Sequence, residues 1–210
     1  MRTIQDIYNK YDIMQNLREH MFRVAAVGEM IVDNVDFDID KDEIIASLLL
    51  HDIGNIIKFS LPYFPEFLEP EGLHYWKKIQ KDMKEKFGID EHNAHVLISK
   101  ELGMSDRIVE LVDSVGFSNM CLHAESNDWG KKLCNYADLR VGPFSTLTID
   151  ERLKDGRKRY NIKTGNERWD LVECADYLEK QIFEHCSINP EDITDEAIAP
   201  YIARYPKYLL

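Results

Sequence analysis

His51 and Asp52 stand together at the end of the apolar run Ala46-Ser47-Leu48-Leu49-Leu50, with Gly54 two residues beyond. Apolar runs bury themselves, and burying an imidazole beside an ionised carboxylate is costly unless both find partners. Two more polar residues occupy similar places. His20 lies between Leu17 and Val24 on an apolar stripe, and Asp138 lies between Cys134 and Val141. One such histidine alone is more often a satisfied core residue than a ligand. Several that converge would each need a separate hydrogen-bond partner. A divalent cation held by two imidazoles and two carboxylates satisfies all of them at once.

The elements that must position these groups are helical. Leu17, His20, Val24, Val27 and Ile31 recur at steps of three and four, one face of a helix. Residues 40–54 form a second helix, with Asp40 or Asp42 as cap and Gly54 as stop. Further helices are expected over 74–87, 90–102, 105–115, 127–141, 148–159 and 167–185, with Asp90, Ser105 and Asn127 at N-cap positions. Alternating β-branched runs are nearly absent, so the fold class is all-α. Residues 60–73, with Pro62, Pro65 and Pro70, cannot form one regular helix. Their aromatic rings, Tyr63, Phe64 and Phe67, require a packing partner, as an ordered crossover loop or as a lid over a pocket near His51. Gly142 and Pro143 end one helix, and Thr148 or Asp150 starts the next. The tail reads as two short helices broken by Pro200 and Pro206, serving packing or homo-oligomer contacts.

A chain of 210 residues fits one core with a small appendage. The expected division is 1–165 for the metal-binding helical domain and 166–210 for a C-terminal extension packed on it. A net charge of −12 argues against general nucleic-acid binding. No apolar run approaches the roughly 20 residues of a membrane span, and the N-terminus lacks a signal-peptide layout. Cys121, Cys134, Cys174 and Cys186 form no C-x-x-C pair, so the expectation is reduced thiols in a cytoplasmic protein.

The order His20, then His51-Asp52, then Asp138 resembles the HD superfamily of metal-dependent phosphohydrolases. H-M-F-R-V-A resembles the H-x-x-R-V helix of that family, L-L-L-H-D-I-G-N its central motif and N-Y-A-D-L-R-V-G-P its closing helix. The resemblance spans residues 17 to about 160 and implies an HD-domain-like helical bundle. It also implies a metal held by His20, His51, Asp52 and Asp138, and phosphate ester hydrolysis. The donor set suits Mn²⁺, Fe²⁺, Co²⁺ or Ni²⁺, with Mg²⁺ and Zn²⁺ as further candidates. Such an ion would polarise a phosphoryl oxygen and activate water, with Asp52 both ligating and orienting that water.

The chain also departs from the family pattern. Asn55 stands where some relatives carry Lys or Glu, and it has no proton to give at neutral pH. Lys58, one turn on, either reaches back as a catalytic group or is a solvated surface lysine. Binuclear relatives add two histidines before the final Asp. His92 and His95 fall where the first would be, but the second has no counterpart, His123 standing in an unfamiliar context. A mononuclear site is therefore expected. His95 or His92 would serve as phosphate ligand or acid, or as a plain polar surface residue, and Arg23 and Asn55 would face the substrate. Residues 151–163 carry Arg152, Lys154, Arg157, Lys158, Arg159 and Lys163. Here Arg157 or Arg159 would bind a distal phosphate, unless the run is a solvated basic face. The expected activity is hydrolysis of a small phosphorylated compound, a nucleotide first, as a phosphomonoesterase or phosphodiesterase. The alternatives are a metal-containing regulatory or binding module and an oxygen-activating enzyme on a related helical scaffold.

Overall fold

The structure is a computed structural model that describes residues 2–159, Arg159 by its backbone alone, and 171–210. Its elements are α1 (Ile4–Lys10), α2 (Gln15–Val32), α3 (Lys41–Leu50), α4 (Gly72–Phe87), α5 (Glu91–Glu101), α6 (Asp106–Ser114), α7 (Met120–Glu125), α8 (Trp129–Leu139), α9 (Ile149–Arg159), α10 (Val172–Phe183) and α11 (Asp195–Ile202). The fold is all-α; among the described residues, only isolated bridges of β type occur.

Packing follows from the small and apolar residues on the inner faces. In α2, Leu17, Met21, Val24, Ala25, Val27, Gly28 and Ile31 are buried. Gly28 admits the side chain of Leu48 from α3 so closely that a Cβ there would overlap it. That close approach brings α2 against α3, and α8 packs on both. One continuous apolar core runs from Ile4 in α1 through these helices to Ala175, Leu178 and Ile182 in α10 and Tyr205 near the C-terminus. The C-terminal strand-like end is tied to the start of the chain by Ile4 N–H to the Tyr208 carbonyl at 2.8 Å. Buried Glu29 of α2 anchors the same region, accepting from the Tyr205 hydroxyl at 2.8 Å and pairing with Lys41 and Arg204.

The caps explain where helices start. Asp40, Asp90 and Ser105 each accept a backbone N–H three residues on. Thr148 and Glu151 bond each other's backbone N–H at the start of α9. At α8 the cap is Asp128 and not Asn127, because the Asp128 carboxylate accepts from Lys131 N–H while also binding Arg107. Three more expectations need correction. Helix α3 ends at Leu50, before Gly54, since successive i to i+3 bonds tighten the chain into a 3₁₀ turn at Asn55–Lys58. Pro200 does not break its helix; it removes one ladder bond, and α11 continues until Ala203 N–H caps it on Ala199. The thiols are not all reduced: Cys121 of α7 and Cys174 of α10 form a disulfide, because the two helices pack side by side with these Cα atoms 5.0 Å apart. Cys134 and Cys186 are free.

Segment 60–73 contains two 3₁₀ turns, Leu61–Tyr63 and Pro65–Leu68, ahead of α4. The expected boundary at 165/166, the start of the helix expected from 167, and Lys163 of the basic run lie outside the described residues. Among those described, no helix is long and apolar enough to cross a membrane.

Candidate metal centre

Three elements end or turn at one point. His20 projects from α2, His51 caps α3 with Asp52 directly after it, and Asp138 lies in the last turn of α8. His20 Nε2 lies 3.2 Å from Asp138 Oδ1 and 3.6 Å from Asp52 Oδ2. His51 Nε2 lies 3.5 Å from Asp138 Oδ1 and 3.7 Å from Asp52 Oδ2. Ligand atoms sharing one ion at about 2.1 Å are roughly 3.0 Å apart in octahedral and 3.4 Å apart in tetrahedral geometry. The 3.2 Å spacing falls in that range, and the other three, 3.5–3.7 Å, lie just above it. His20, His51 and Asp52 also form a set whose donor atoms all lie within 4.8 Å of one another.

The tautomer of His51 sharpens this fit. Its Nδ1 donates to the Leu48 carbonyl at 2.7 Å, which leaves Nε2 turned toward the carboxylates. That Nε2 is buried and makes no hydrogen bond, the Asp138 and Asp52 oxygens standing off at 3.5 and 3.7 Å. A buried unpartnered imidazole nitrogen is costly, and a cation on it removes the cost. The backbone bond that orients the ring is the kind of support metal-binding histidines use. The residues present therefore fit a divalent ion held by His20, His51, Asp52 and Asp138.

The local electrostatics say the same. Burial pulls the His51 pKa down, but Asp52 and Asp138 outweigh it and raise it to about 9. Burial pushes the Asp138 carboxyl up, and its contacts with His20 and His51 overcome this and hold it well below the usual range. For Asp52, burial is likewise outweighed, here by His51, Lys58 and His20. Two carboxylates in one half-buried centre need positive charge beside them.

Around the centre, the expected residues fall as follows. Gly54 gives α5 its close approach: a Cβ there would meet Ala94 Cβ at 2.8 Å. Its N–H donates to His95 Nδ1 at 2.9 Å, so the Asp52 turn hangs on α5. His95 is buried, and burial lowers its pKa to about 3. It is neutral at pH 7, with an Nε2–H to offer and no imidazolium proton. Asn55 is buried with Oδ1 unpartnered, and Asn135, one turn before Asp138 on α8, has Nδ2 unpartnered. Sequence reasoning passed over Asn135; its i, i+3 spacing from Asp138 was the available signal. Lys58 pairs with Glu91 at 3.4 Å, and Arg23 reaches Glu19 at 3.6 Å. His92 lies beside Gly116, and His123 spends Nε2 on the Ser114 carbonyl. Arg140 turns away from the centre, bonding the Leu147 and Pro190 carbonyls and the Tyr136 hydroxyl. Arg157 lies on α9, which packs on α10; the side chain of Arg159 lies outside the described residues.

No curated protein and no solved structure matches the chain. Residues 17–120 match the family model of the HD domain, a span that holds His20, His51 and Asp52, and this match is consistent with the HD superfamily of metal-dependent phosphohydrolases.

Proposed function

We propose that this protein hydrolyses a small phosphorylated compound, a nucleotide in the first instance, at a single divalent metal ion. The observation that carries the reading is the buried, unpartnered Nε2 of His51, aimed between Asp52 and Asp138 and fixed by the Leu48 carbonyl. Bound there, the ion supplies Lewis acidity toward a phosphoryl oxygen and a nucleophile at neutral pH. The chain supplies the rest. Asp52 has two oxygens, one facing the imidazoles, and the other accepts a hydrogen bond from the attacking water and holds it in line. His51 first, then Lys58, keeps Asp52 ionised for that work. His95, neutral and anchored through Nδ1, offers a hydrogen bond and no proton, so the leaving oxygen takes its proton from solvent. Arg23, Asn55 and His92 complete the proposed substrate contacts.

Phosphate release from nucleoside mono-, di- and triphosphates, measured with Mn²⁺, Co²⁺ and Mg²⁺ in parallel, tests this. Activity is expected to vanish with EDTA and in Asp52→Ala. A second reading, a metal-containing regulatory module, draws on Asn55, which stands where a charged group would assist turnover. No release across the panel, with metal bound, would establish that second reading in its place.

A further inference from the structure

Two loops leave the metal centre and meet again. The first follows Asp52 through the 3₁₀ turn Asn55–Lys58 into segment 60–73. The second follows Asp138: Val141 N–H bonds the Asp138 carbonyl at 3.1 Å, and Phe144 comes three residues later. They meet through their aromatic rings. Phe67 and Phe144 lie 5.4 Å apart between centroids, Phe64 and Phe144 6.1 Å, Phe64 and Phe67 4.8 Å, and Tyr63 and Phe64 4.7 Å.

The four rings form one patch that solvent still reaches, with Tyr63 54 % and Phe144 58 % exposed. Contiguous apolar surface of this kind marks a binding site more often than isolated exposed residues do. The Phe144 loop does not need its ring to hold its shape. Gly142 N–H bonds the Ser145 carbonyl at 2.9 Å, Leu147 N–H the Arg140 carbonyl at 2.7 Å, and Thr146 N–H the Asp195 carboxylate at 2.9 Å. Gly142 packs closely here: a Cβ would meet the end of the Leu147 side chain at 2.6 Å. A tightly bonded loop thus presents a phenyl ring outward, at most about 11 Å of extended chain from Val141.

We infer that Tyr63, Phe64, Phe67 and Phe144 form the subsite for the aromatic base of a nucleotide whose phosphate lies at the metal centre. The inference rests on the hydrolytic reading above and deepens it. Stacking on phenyl and phenol faces suits any nucleobase and asks for no particular hydrogen-bond pattern. Charge sets the orientation. Glu66 and Glu69 stand exposed beside the rings and repel a phosphate, so the patch takes the neutral end of the substrate while the metal takes the anionic one.

Calorimetric binding to the metal-loaded full chain tests this, with AMP and CMP as base-bearing probes and ribose 5-phosphate as the probe without a base. Wild type is expected to bind both nucleotides about tenfold tighter than ribose 5-phosphate, the scale of one stacked base. Phe144→Ala should erase that difference and leave ribose 5-phosphate affinity unchanged, while Phe144→Tyr, which keeps a ring, should retain it. Equal affinities for all three probes in wild type, or equal loss for all three in Phe144→Ala, would overturn the inference. Phosphate release is read separately. If ribose 5-phosphate is hydrolysed without any base preference, the subsite fails and the hydrolytic reading stands. If nucleotides bind with the expected preference and nothing is hydrolysed, the hydrolytic reading fails and the base subsite stands.

Discussion

Reducing the Cys121–Cys174 disulfide should cost the fold about 4 kcal/mol without emptying the metal centre. The two cysteines are 53 residues apart in sequence. Closing a loop of that length removes about 14 cal/mol/K from the unfolded chain, or about 4 kcal/mol at 25 °C, as an entropic estimate. The loop contains all of α8 and therefore Asp138. The native contacts of α8 do not depend on the bridge, however. Lys132 donates to Gln181 at 2.6 Å and the Tyr136 hydroxyl to Glu179 at 2.6 Å, which keeps α10 docked on α8 after reduction. The perturbation therefore acts mainly on the unfolded state. Urea titrations with and without a phosphine reductant, and of a Cys121→Ser/Cys174→Ser double variant, should show the same lowered midpoint with an altered m-value. Metal content by elemental analysis should be unchanged in both. Four titratable thiols in the purified non-reduced chain, or coincident titration curves, would refute the reasoning. Metal lost together with the bridge would show instead that α8 depends on it.

Three further outcomes follow from single contacts. His51→Ala removes the ligand that Leu48 holds in place, so metal affinity should fall by at least about 100-fold, seen as loss of bound metal on gel filtration. Gly54→Ala forces Ala94 and the Asp52 turn apart; overpacking of this kind costs about 1–3 kcal/mol, and both the thermal midpoint and metal affinity should drop. Asp128 is held down to about 2 chiefly by its paired bonds to Arg107, from 3.8 ordinarily. A depressed carboxyl stabilises the fold above its ordinary pKa and loses that contribution as pH falls through 2, here at most about 2 kcal/mol. The acid limb of a stability–pH curve should flatten in Asp128→Asn, and an unchanged limb would assign the acid sensitivity to other groups.

How much of this could be read from the sequence depends on where each residue gets its meaning. The metal-ligand candidates were legible because polar side chains interrupt apolar stripes, and a stripe is a local property of spacing. The caps at Asp40, Asp90 and Ser105 were legible for the same reason, since a cap bonds backbone only three residues away. The misreadings share a different cause. Asn127 and Asp128 are equally good caps locally, and Arg107, 21 residues distant, decides for Asp128. Helix α3 ends at Leu50, where i to i+3 backbone bonds take over and the His51 ring occupies the Leu48 carbonyl. Nothing in the spacing of Cys121 and Cys174 announces that α7 and α10 lie side by side. Short α1 and α7 gave too few turns for periodicity to register. The same rule bears on Gly54, which looked like a helix stop and is instead the point where α5 touches the Asp52 turn. A glycine at a stop needs its φ, whereas a glycine at a contact needs its missing Cβ, and Gly54 has an ordinary φ of −100°. Its place in the motif is therefore explained by His95 and Ala94, forty residues further along. That also explains why His95 lies beside the metal centre while spending one ring nitrogen on the scaffold.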